Sequence, residues 1–482
     1  MSELFSSHSP LPGQPGLPAL PDRLIMIDAE INRQASRYLK EARQQLDRLT
    51  DDLPDGWQVQ KWGKTVFGQY QGSGSASLLV YFPALPASRY NLSALLAAAA
   101  AWQTVAGELP VTLKFLWGPL DKTLLSEHAA DLAASAIIYA EGEYRQGRPL
   151  ISLGMKGLLE VELRVTTMSK AAPSVFSEIM PAASWTLVQA IAALKSDSQE
   201  VQIEDFEDNL APLPAEESRA LLKATPDFSP ELARRLEDYG LSGYVFNLND
   251  QLVLQTQFMV PTVNVSALEC GSFDRAGRLK LPASARARLD FHLVPYQDPD
   301  QVFELVKNHL LSKDFGPQLE IIQLPGALRP SRTPLSAAFI QAALGAAKRA
   351  AGQPPLVGPI SLFSGPLALL KVALGSPPAI CFGLGPGRPG RADFSAQARV
   401  LAHLLTVVPG LPGDFPETFP DWPVSSLQNF PDQQADPEGL TFELPDLPDF
   451  SDISQLIPDF PEMENDPFGS APKNKPGNFS LS

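Results

Sequence analysis

The sequence lacks the features that mark several common classes of protein. It has only 2 Cys in 482 residues, and Cys270 and Cys381 lie too far apart for a disulfide framework or a CxxC metal or redox motif. The longest apolar run, residues 95–102, is far shorter than the ~20 residues that span a bilayer. Residues 1–21 lack the basic and apolar regions of a signal peptide. We therefore expect a cytoplasmic protein without a membrane segment.

Positive charge is also scarce. The formal net charge is −16, and residues 411–482 hold 14 Asp and Glu against 2 Lys, so this segment carries −12 and the rest of the chain only −4. A nearly neutral body has no broad basic field to attract phosphate backbones. Nucleic acid is therefore not an expected partner.

Motifs that would identify an enzyme directly are missing too. None of the five histidines, His8, His128, His292, His309 and His403, lies within four residues of another, which excludes an HExxH-type zinc motif. The chain has no GxSxG elbow and no phosphate-binding GxxxxGK[ST] loop.

The chain does contain alternating strands and helices at both ends. Before residue 154, we predict strands 57–62, 66–70, 78–82, 111–117 and 136–140, and helices 27–49, 91–105 and 121–135. After Pro325, we predict helices 336–351, 366–374 and 394–407, and strands 359–363 and 379–383. This order is typical of an open α/β sheet, which resumes after an insertion.

The inserted segment has a different pattern. It contains strand-like stretches at 158–166, 253–257, 262–268 and 286–294, and helix-like stretches at 184–194 and 300–311. This pattern predicts a separate α+β module. The expected organisation is a flexible leader (1–22), a discontinuous α/β domain (23–153 and 324–410), an inserted α+β domain (154–323) and a tail (411–482).

The tail has a distinct composition. Pro recurs every few residues, with Phe or Leu beside Asp, as in Leu447-Pro-Asp-Phe450 and Ile457-Pro-Asp-Phe460. Because so much proline and acid prevents a packed core, we expect disorder. The tail either keeps the protein soluble or engages a groove on a protein partner.

A resemblance to one family rests on four collinear segments, 78–82, 107–117, 147–163 and 291–299. Their order resembles that of the dinuclear zinc metallopeptidases of carnosinase, related dipeptidases, aminoacylase and acetylornithine deacetylase. A further stretch, residues 201–208 with 212–217, is similar to the dipeptidase branch. The resemblance runs from about Leu24 to Val408. It implies an α/β fold, with an open, mostly parallel sheet in a catalytic-type domain and an inserted α+β lid or dimerisation domain. It also implies a homodimer formed through the inserted domain.

The resemblance further implies two zinc ions and a Glu general base, but the matching positions have changed. The His-x-Asp motif of the family falls on Pro83-Ala-Leu85, and neither Pro83 nor Leu85 can bind a metal. The adjacent base and ligand Glu residues fall on Asp121 and Lys122. The bridging Asp falls near residues 87–88.

Other family positions give weaker candidates. Glu141 occupies the place of a ligand carboxylate. Asp121 and Glu141 are therefore either remnants of a metal site or two solvated surface acids. Zinc normally takes three protein ligands, which favours two solvated surface acids. The closing His motif has no counterpart in residues 383–391, and the substrate-binding His of the inserted domain maps near Pro173. His292 replaces an Arg in a segment that the family uses near substrate, and it is a ligand-binding candidate.

Three functions remain open at this point. The first is a degenerate, metal-free homologue of zinc dipeptidases that binds or scaffolds. The second is an active metallohydrolase that cleaves dipeptides or N-acyl amino acids with a rebuilt zinc site. The third is an adaptor that acts through its acidic tail.

Overall fold

The computed structural model describes residues 18–411, except 43–52, 54, 86, 146, 209, 211, 276 and 386–387. The predicted tail from residue 412 and the leader up to residue 17 lie outside the described residues. The helices are α1 (Leu20–Glu41), α2 (Ser88–Ala106), α3 (Lys122–Leu132), α4 (Ala183–Ala192), α5 (Ala215–Asp238), α6 (Asp250–Met259), α7 (Pro299–Ser312), α8 (Ala338–Ala351), α9 (Leu367–Ala373) and α10 (Arg391–Leu404). The strands are β1 (Trp57–Trp62), β2 (Thr65–Tyr70), β3 (Ser77–Phe82), β4 (Thr112–Trp117), β5 (Ala136–Tyr139), β6 (Glu143–Arg145), β7 (Arg148–Ser152), β8 (Gly154–Thr166), β9 (Ala172–Pro173), β10 (Thr262–Cys270), β11 (Lys280–Leu281), β12 (Ser284–Leu293), β13 (Leu319–Gln323), β14 (Ser331–Arg332), β15 (Leu356–Gly358), β16 (Ser361–Ser364) and β17 (Ala379–Cys381).

The first domain is built on a mixed sheet with a parallel centre. Its strand order is β1-β2-β4-β3-β5-β17-β7-β15, and the four central strands, β4, β3, β5 and β17, run parallel to one another, whereas β2 is antiparallel to β4 and β7 to β17. Helices α1, α2, α8 and α10 share a large core with one face, and α3 and α9 cover the other. Strand β3 is apolar from Leu78 to Phe82 and buried, as expected for a strand that is covered on both faces. The predicted fold class is confirmed.

Helix α1 begins earlier than the predicted Ile27. Pro21 stands in its first turn, followed by Asp22, and both suit a helix N-terminus because proline lacks an N–H and acids favour the positive end of the helix dipole. Ile27, Ile31 and Ala35 repeat at helical spacing and are fully buried.

The inserted domain has its own antiparallel sheet, ordered β10-β12-β8-β13. Along β12 the side chains alternate, so that Ala287, Leu289 and Phe291 are buried and the residues between them face away from that core. Helices α4 and α7 pack on the buried face. Strand β8 is 13 residues long and reaches from the first domain into this sheet, where it pairs with β12 and β13.

Two features of the insertion differ from the sequence patterns. Residues 253–257, predicted as a strand, lie in helix α6, because Asn249 caps its first turn by accepting from Leu252 N at 3.0 Å and Val253, Leu254 and Phe258 are buried at helical spacing. Helix α5 was not predicted. It contains Pro226 and Pro230, which normally interrupt a helix.

Within the described part of the chain, no helix is both long enough and apolar enough to cross a membrane.

Candidate functional site

The candidate site lies where the parallel strands end. Strands β3, β4, β5 and β17 run in the same direction, so the loops that follow them meet at one edge of the sheet. This edge is the usual ligand site of open α/β sheets. The four loops begin at Pro83, Gly118, Ala140 and Phe382. The candidate metal positions therefore converge on one edge.

The loop after β3 presents no metal-binding side chain at the two predicted positions. Leu85 N donates to Pro83 O at 2.7 Å and Ser88 N to Leu85 O at 3.0 Å, so the backbone turns tightly into helix α2. Pro83 is buried and Leu85 half-buried. Their side chains supply apolar surface only.

Asp121 and Lys122 begin helix α3. The Asp121 carboxylate accepts a hydrogen bond from Leu124 N at 2.8 Å, which is the usual role of an N-cap aspartate. Asp121 is exposed and Lys122 half-buried. The carboxylate at this position therefore stabilises the helix terminus and faces solvent.

Glu141, directly after β5, is less accessible to solvent than Asp121. Its side chain is mostly shielded, and burial raises the pKa of its carboxyl group to about 7. Burial raises the pKa values of the neighbouring phenols, Tyr81 and Tyr139, and the Glu141 charge raises them further. The Glu141 side chain is thus half-buried, and its carboxyl group is substantially protonated near neutral pH.

Asn91, which the sequence did not single out, ties two of the strand ends together. Its side chain is 1% exposed. Its amide nitrogen donates to Ala140 O and to Leu384 O, each at 3.2 Å, and its oxygen accepts from Leu384 N at 2.7 Å. One neutral side chain therefore satisfies three backbone groups in the loops after β5 and β17.

The same two loops touch through glycines. A Cβ atom added to Gly142 would lie 2.7 Å from Gly383 N, and one added to Gly383 would lie 3.1 Å from both polar atoms of the Asn91 side chain. Real Cβ contacts are essentially never as short as the first of these distances. The space between these loops is therefore filled by backbone and by the Asn91 amide.

His292 lies elsewhere, on β12 of the inserted sheet, opposite Leu158 and Thr262. Its Nδ1 is buried and has no hydrogen-bond partner among the described residues. Burial and the nearby Lys156 ammonium lower the His292 pKa. Lys156 is 4% exposed, its Nζ donates to Val260 O at 3.1 Å, and burial lowers its pKa to about 8.

The donor set does not fit a dinuclear zinc site. Over residues 18–411, leaving out the undescribed positions, no group of three or more His, Cys, Asp or Glu side chains could hold a metal ion. Pro83 and Leu85 offer no ligand, and Asp121 is engaged at a helix cap. Pro173, near which the substrate-binding His of the inserted domain maps, pairs with Lys280 in a short two-stranded sheet, and its side chain has no group that hydrogen-bonds a substrate.

The fold and the inserted domain define a class, the metallopeptidase fold with an inserted dimerisation domain. Residues 153–315 match the family described as "Peptidase dimerisation domain". No curated protein sequence matches the chain significantly.

Solved structures support the same class. The M20 family metallo-carboxypeptidase Sso-CP2 from Sulfolobus solfataricus is 26% identical, with a TM-score of 0.66 over 76% of this chain and 95% of that chain. The di-peptidase Dug1p from Saccharomyces cerevisiae is 15% identical, with a TM-score of 0.61 over 81% and 96%. Human carnosine dipeptidase 1 is 14% identical, with a TM-score of 0.61 over 80% and 100%. The resemblance to carnosinase-like zinc peptidases is therefore confirmed at the level of the fold.

Proposed function

We propose that this protein is a catalytically degenerate relative of the zinc dipeptidases, which binds or scaffolds rather than hydrolyses. The observation that carries the proposal is the closed edge of the sheet, where Asn91 and the Gly142–Gly383 contact join the loops after β5 and β17. A dinuclear hydrolase needs these strand ends to present ligands to two ions. In this protein the loops after β5 and β17 contact each other instead.

The remaining acids do not restore hydrolysis. Without a metal, the attacking water keeps its ordinary, very high pKa, and an exposed aspartate such as Asp121 is a weak base for its activation. Lys122 adds a positive charge beside the same position, which disfavours a bound dication. We therefore expect neither tight zinc binding nor peptide hydrolysis.

Ligand binding remains the proposed role of His292. Its buried Nδ1 and the nearby Lys156 ammonium offer hydrogen bonds and positive charge, which suit the anionic group of a peptide-like ligand. These groups do not depend on a metal. A peptide-like ligand that is bound through them would remain uncleaved.

A homodimer through the inserted domain is the second part of the proposal. This domain exposes large apolar side chains: Val175 is 79% exposed, Ile179 78%, Trp185 66% and Leu268 58%. Exposed apolar surface of this kind marks an interface, and two-fold pairing is the commonest closed symmetry. The match to a peptidase dimerisation domain favours a second copy of the chain as the partner.

Metal content and turnover test the absence of hydrolysis. The protein is purified without chelator, its bound metal is measured by elemental analysis, and dipeptides and N-acyl amino acids are assayed with added zinc, manganese or cobalt. We expect substoichiometric metal and no metal-dependent turnover. Near-stoichiometric metal with turnover that Glu141→Gln or Asp121→Asn abolishes would establish the active metallohydrolase instead.

The adaptor function through the acidic tail is tested separately. Full-length protein and a chain ending at Leu411 are compared for capture of partners from a lysate. Partners that are lost with the tail and regained with the isolated 412–482 peptide would support an adaptor. Identical partner sets would leave the tail as a solubilising segment.

A further inference from the structure

Helices α5 and α6 join the two domains, although they belong to the inserted stretch of sequence. Both pack against the outermost strands of the first domain's sheet, β7 and β15. The contact is a hydrophobic cluster that includes Leu150 of β7, Phe228 of α5, Phe258 of α6 and Leu356 of β15. Val294, at the end of β12, belongs to the same cluster. One apolar core is therefore shared by the first domain, the helix pair and the inserted sheet.

Charged contacts attach helix α5 to the first domain. The Arg145 guanidinium is 9% exposed and pairs with Glu231 at 2.5 Å, and it also lies 4.8 Å above the Phe228 ring. Arg148 pairs with Asp227 at 2.6 Å. Because the Arg145 contacts are shielded from water, they are stronger than surface ion pairs.

The helix pair is also attached to both connections between the domains. In its first turn, α5 places Glu217 against Arg332 of β14, and both side chains are 6% exposed. The Glu217 carboxylate accepts from Leu335 N at 3.1 Å as well. Directly after α6, Val260 O accepts from Lys156 on β8. The outgoing and returning strands are thus both tied to the same helices.

The two connections are themselves packed without a gap. Leu158 and Leu328 exchange two backbone hydrogen bonds of 2.8 Å each. A Cβ atom added to Gly157 would lie 2.6 Å from Leu328 O. From the other side, Ser364 Oγ donates to Gly157 O at 2.9 Å. The connection through Gly157 and Leu158 is therefore hydrogen-bonded to neighbouring chain segments on both sides.

We propose that α5 and α6 form an interdomain clasp that fixes the angle between the two domains, so that the protein does not open and close about its connecting strands. Any rotation there would break the Glu217–Arg332 and Lys156–Val260 contacts and expose the shared apolar core. The clasp fixes the conformation of the protein whether or not the protein hydrolyses peptides.

Distance measurement by spin labelling tests the clasp. Labels are attached at Glu127→Cys on α3 and Asn308→Cys on α7, both exposed, in a Cys270→Ser background and diluted with unlabelled protein so that only distances within one chain are recorded. We expect one narrow distribution. In Phe228→Ala/Glu231→Gln it should broaden and shift its maximum, whereas Arg234→Gln/Asp238→Asn, which removes an exposed pair on the same helix, should leave it unchanged.

Hydrogen exchange of the unaltered protein supplies a second test, in case the clasp variant does not fold. If the domains are one unit, amides of β12 and β3 open together, with the same dependence on denaturant. A broad or double distance distribution in the unaltered protein would overturn the proposal. So would separate, easier opening of β12, or a clasp variant that folds and keeps the narrow distribution.

Discussion

At the scale of single residues, two side chains, Asn91 and Glu141, determine the hydrogen bonding and the charge where the parallel strands end. Asn91 supplies donors and an acceptor to backbone groups that would otherwise be buried and unpaired. Glu141, directly after Ala140, has a carboxyl group whose pKa is about 7. Both effects can be measured without knowing a ligand.

Asn91→Ala should lower the free energy of unfolding by about 2–4 kcal/mol, because it leaves three backbone groups of Ala140 and Leu384 without their partner. Ser93→Ala is the matched control. Ser93 is buried on the same helix and donates one hydrogen bond, to Tyr38 O at 2.8 Å, so its loss should cost only about 1 kcal/mol. Urea unfolding measures both, and equal losses would show that Asn91 does not join the loops.

Glu141→Gln should change how stability depends on pH. The folded pKa of about 7 lies above the ordinary glutamate value of 4.5, so the folded state holds the proton more tightly. The protonated form contributes its full stability below pH 4.5, and this contribution is lost as the pH rises through about 7. The unaltered protein should therefore lose about 2–3 kcal/mol between these limits.

The variant cannot ionise, so it should be more stable than the unaltered protein at pH 8 and similar to it near pH 4.5. Asp121→Asn is the control, because Asn also caps helices well and this side chain is exposed. Denaturant unfolding across the pH range decides the outcome. Unchanged pH dependence in Glu141→Gln would mean that the carboxyl group is solvated.

At the scale of elements, the sequence predicted best where a single periodic pattern decided the structure. The apolar run 78–82 is the central strand β3, and the alternation in 286–294 is β12. The prediction of a strand at residues 253–257 was wrong, because a short apolar run fits a strand and a helix equally well. The Asn249 cap favours the helix. Asn91 could not be predicted, since its partners, Ala140 and Leu384, lie far along the chain.

The candidate site was predictable only as a location. The order of strands placed residues 83–85, 121–122 and 141 at one edge, and the structure brings the corresponding loops there. The burial of Glu141 was not predictable, because it depends on neighbours such as Tyr81 and Cys381 from other strands. The available signal for Asn91 was its position just before the apolar, Ala-rich run 94–101 of α2.

The exposed apolar side chains of the inserted domain lead to a prediction about assembly. Ile179→Asp should shift the protein from dimer to monomer, because it places a charge in the proposed interface. Val245→Asp is the control, since Val245 is 65% exposed and lies between α5 and α6, apart from the inserted sheet and the helices packed on it. Light scattering at several concentrations measures the mass. A monomeric unaltered protein, or an Ile179→Asp dimer, would contradict the proposed interface.

At the scale of the whole molecule, the chain keeps the architecture of a zinc peptidase, while its sheet edge is held by hydrogen bonds. The fold aligns with Sso-CP2 over 95% of that chain. The loops after β5 and β17 close on Asn91 and two glycines. We therefore expect the stability of the protein not to depend on a bound metal, unlike that of proteins whose metal sites contribute to folding.

Thermal unfolding with zinc or with chelator is the most direct test of this account. A ligand that binds only the folded state stabilises it by about 2.7 kcal/mol at 100 times its Kd, so a functional zinc site would raise the Tm. We predict the same Tm in excess zinc and in excess EDTA, for the unaltered protein and for Glu141→Gln alike. A Tm that rises with zinc, falls with EDTA and loses this response in Glu141→Gln would contradict the account.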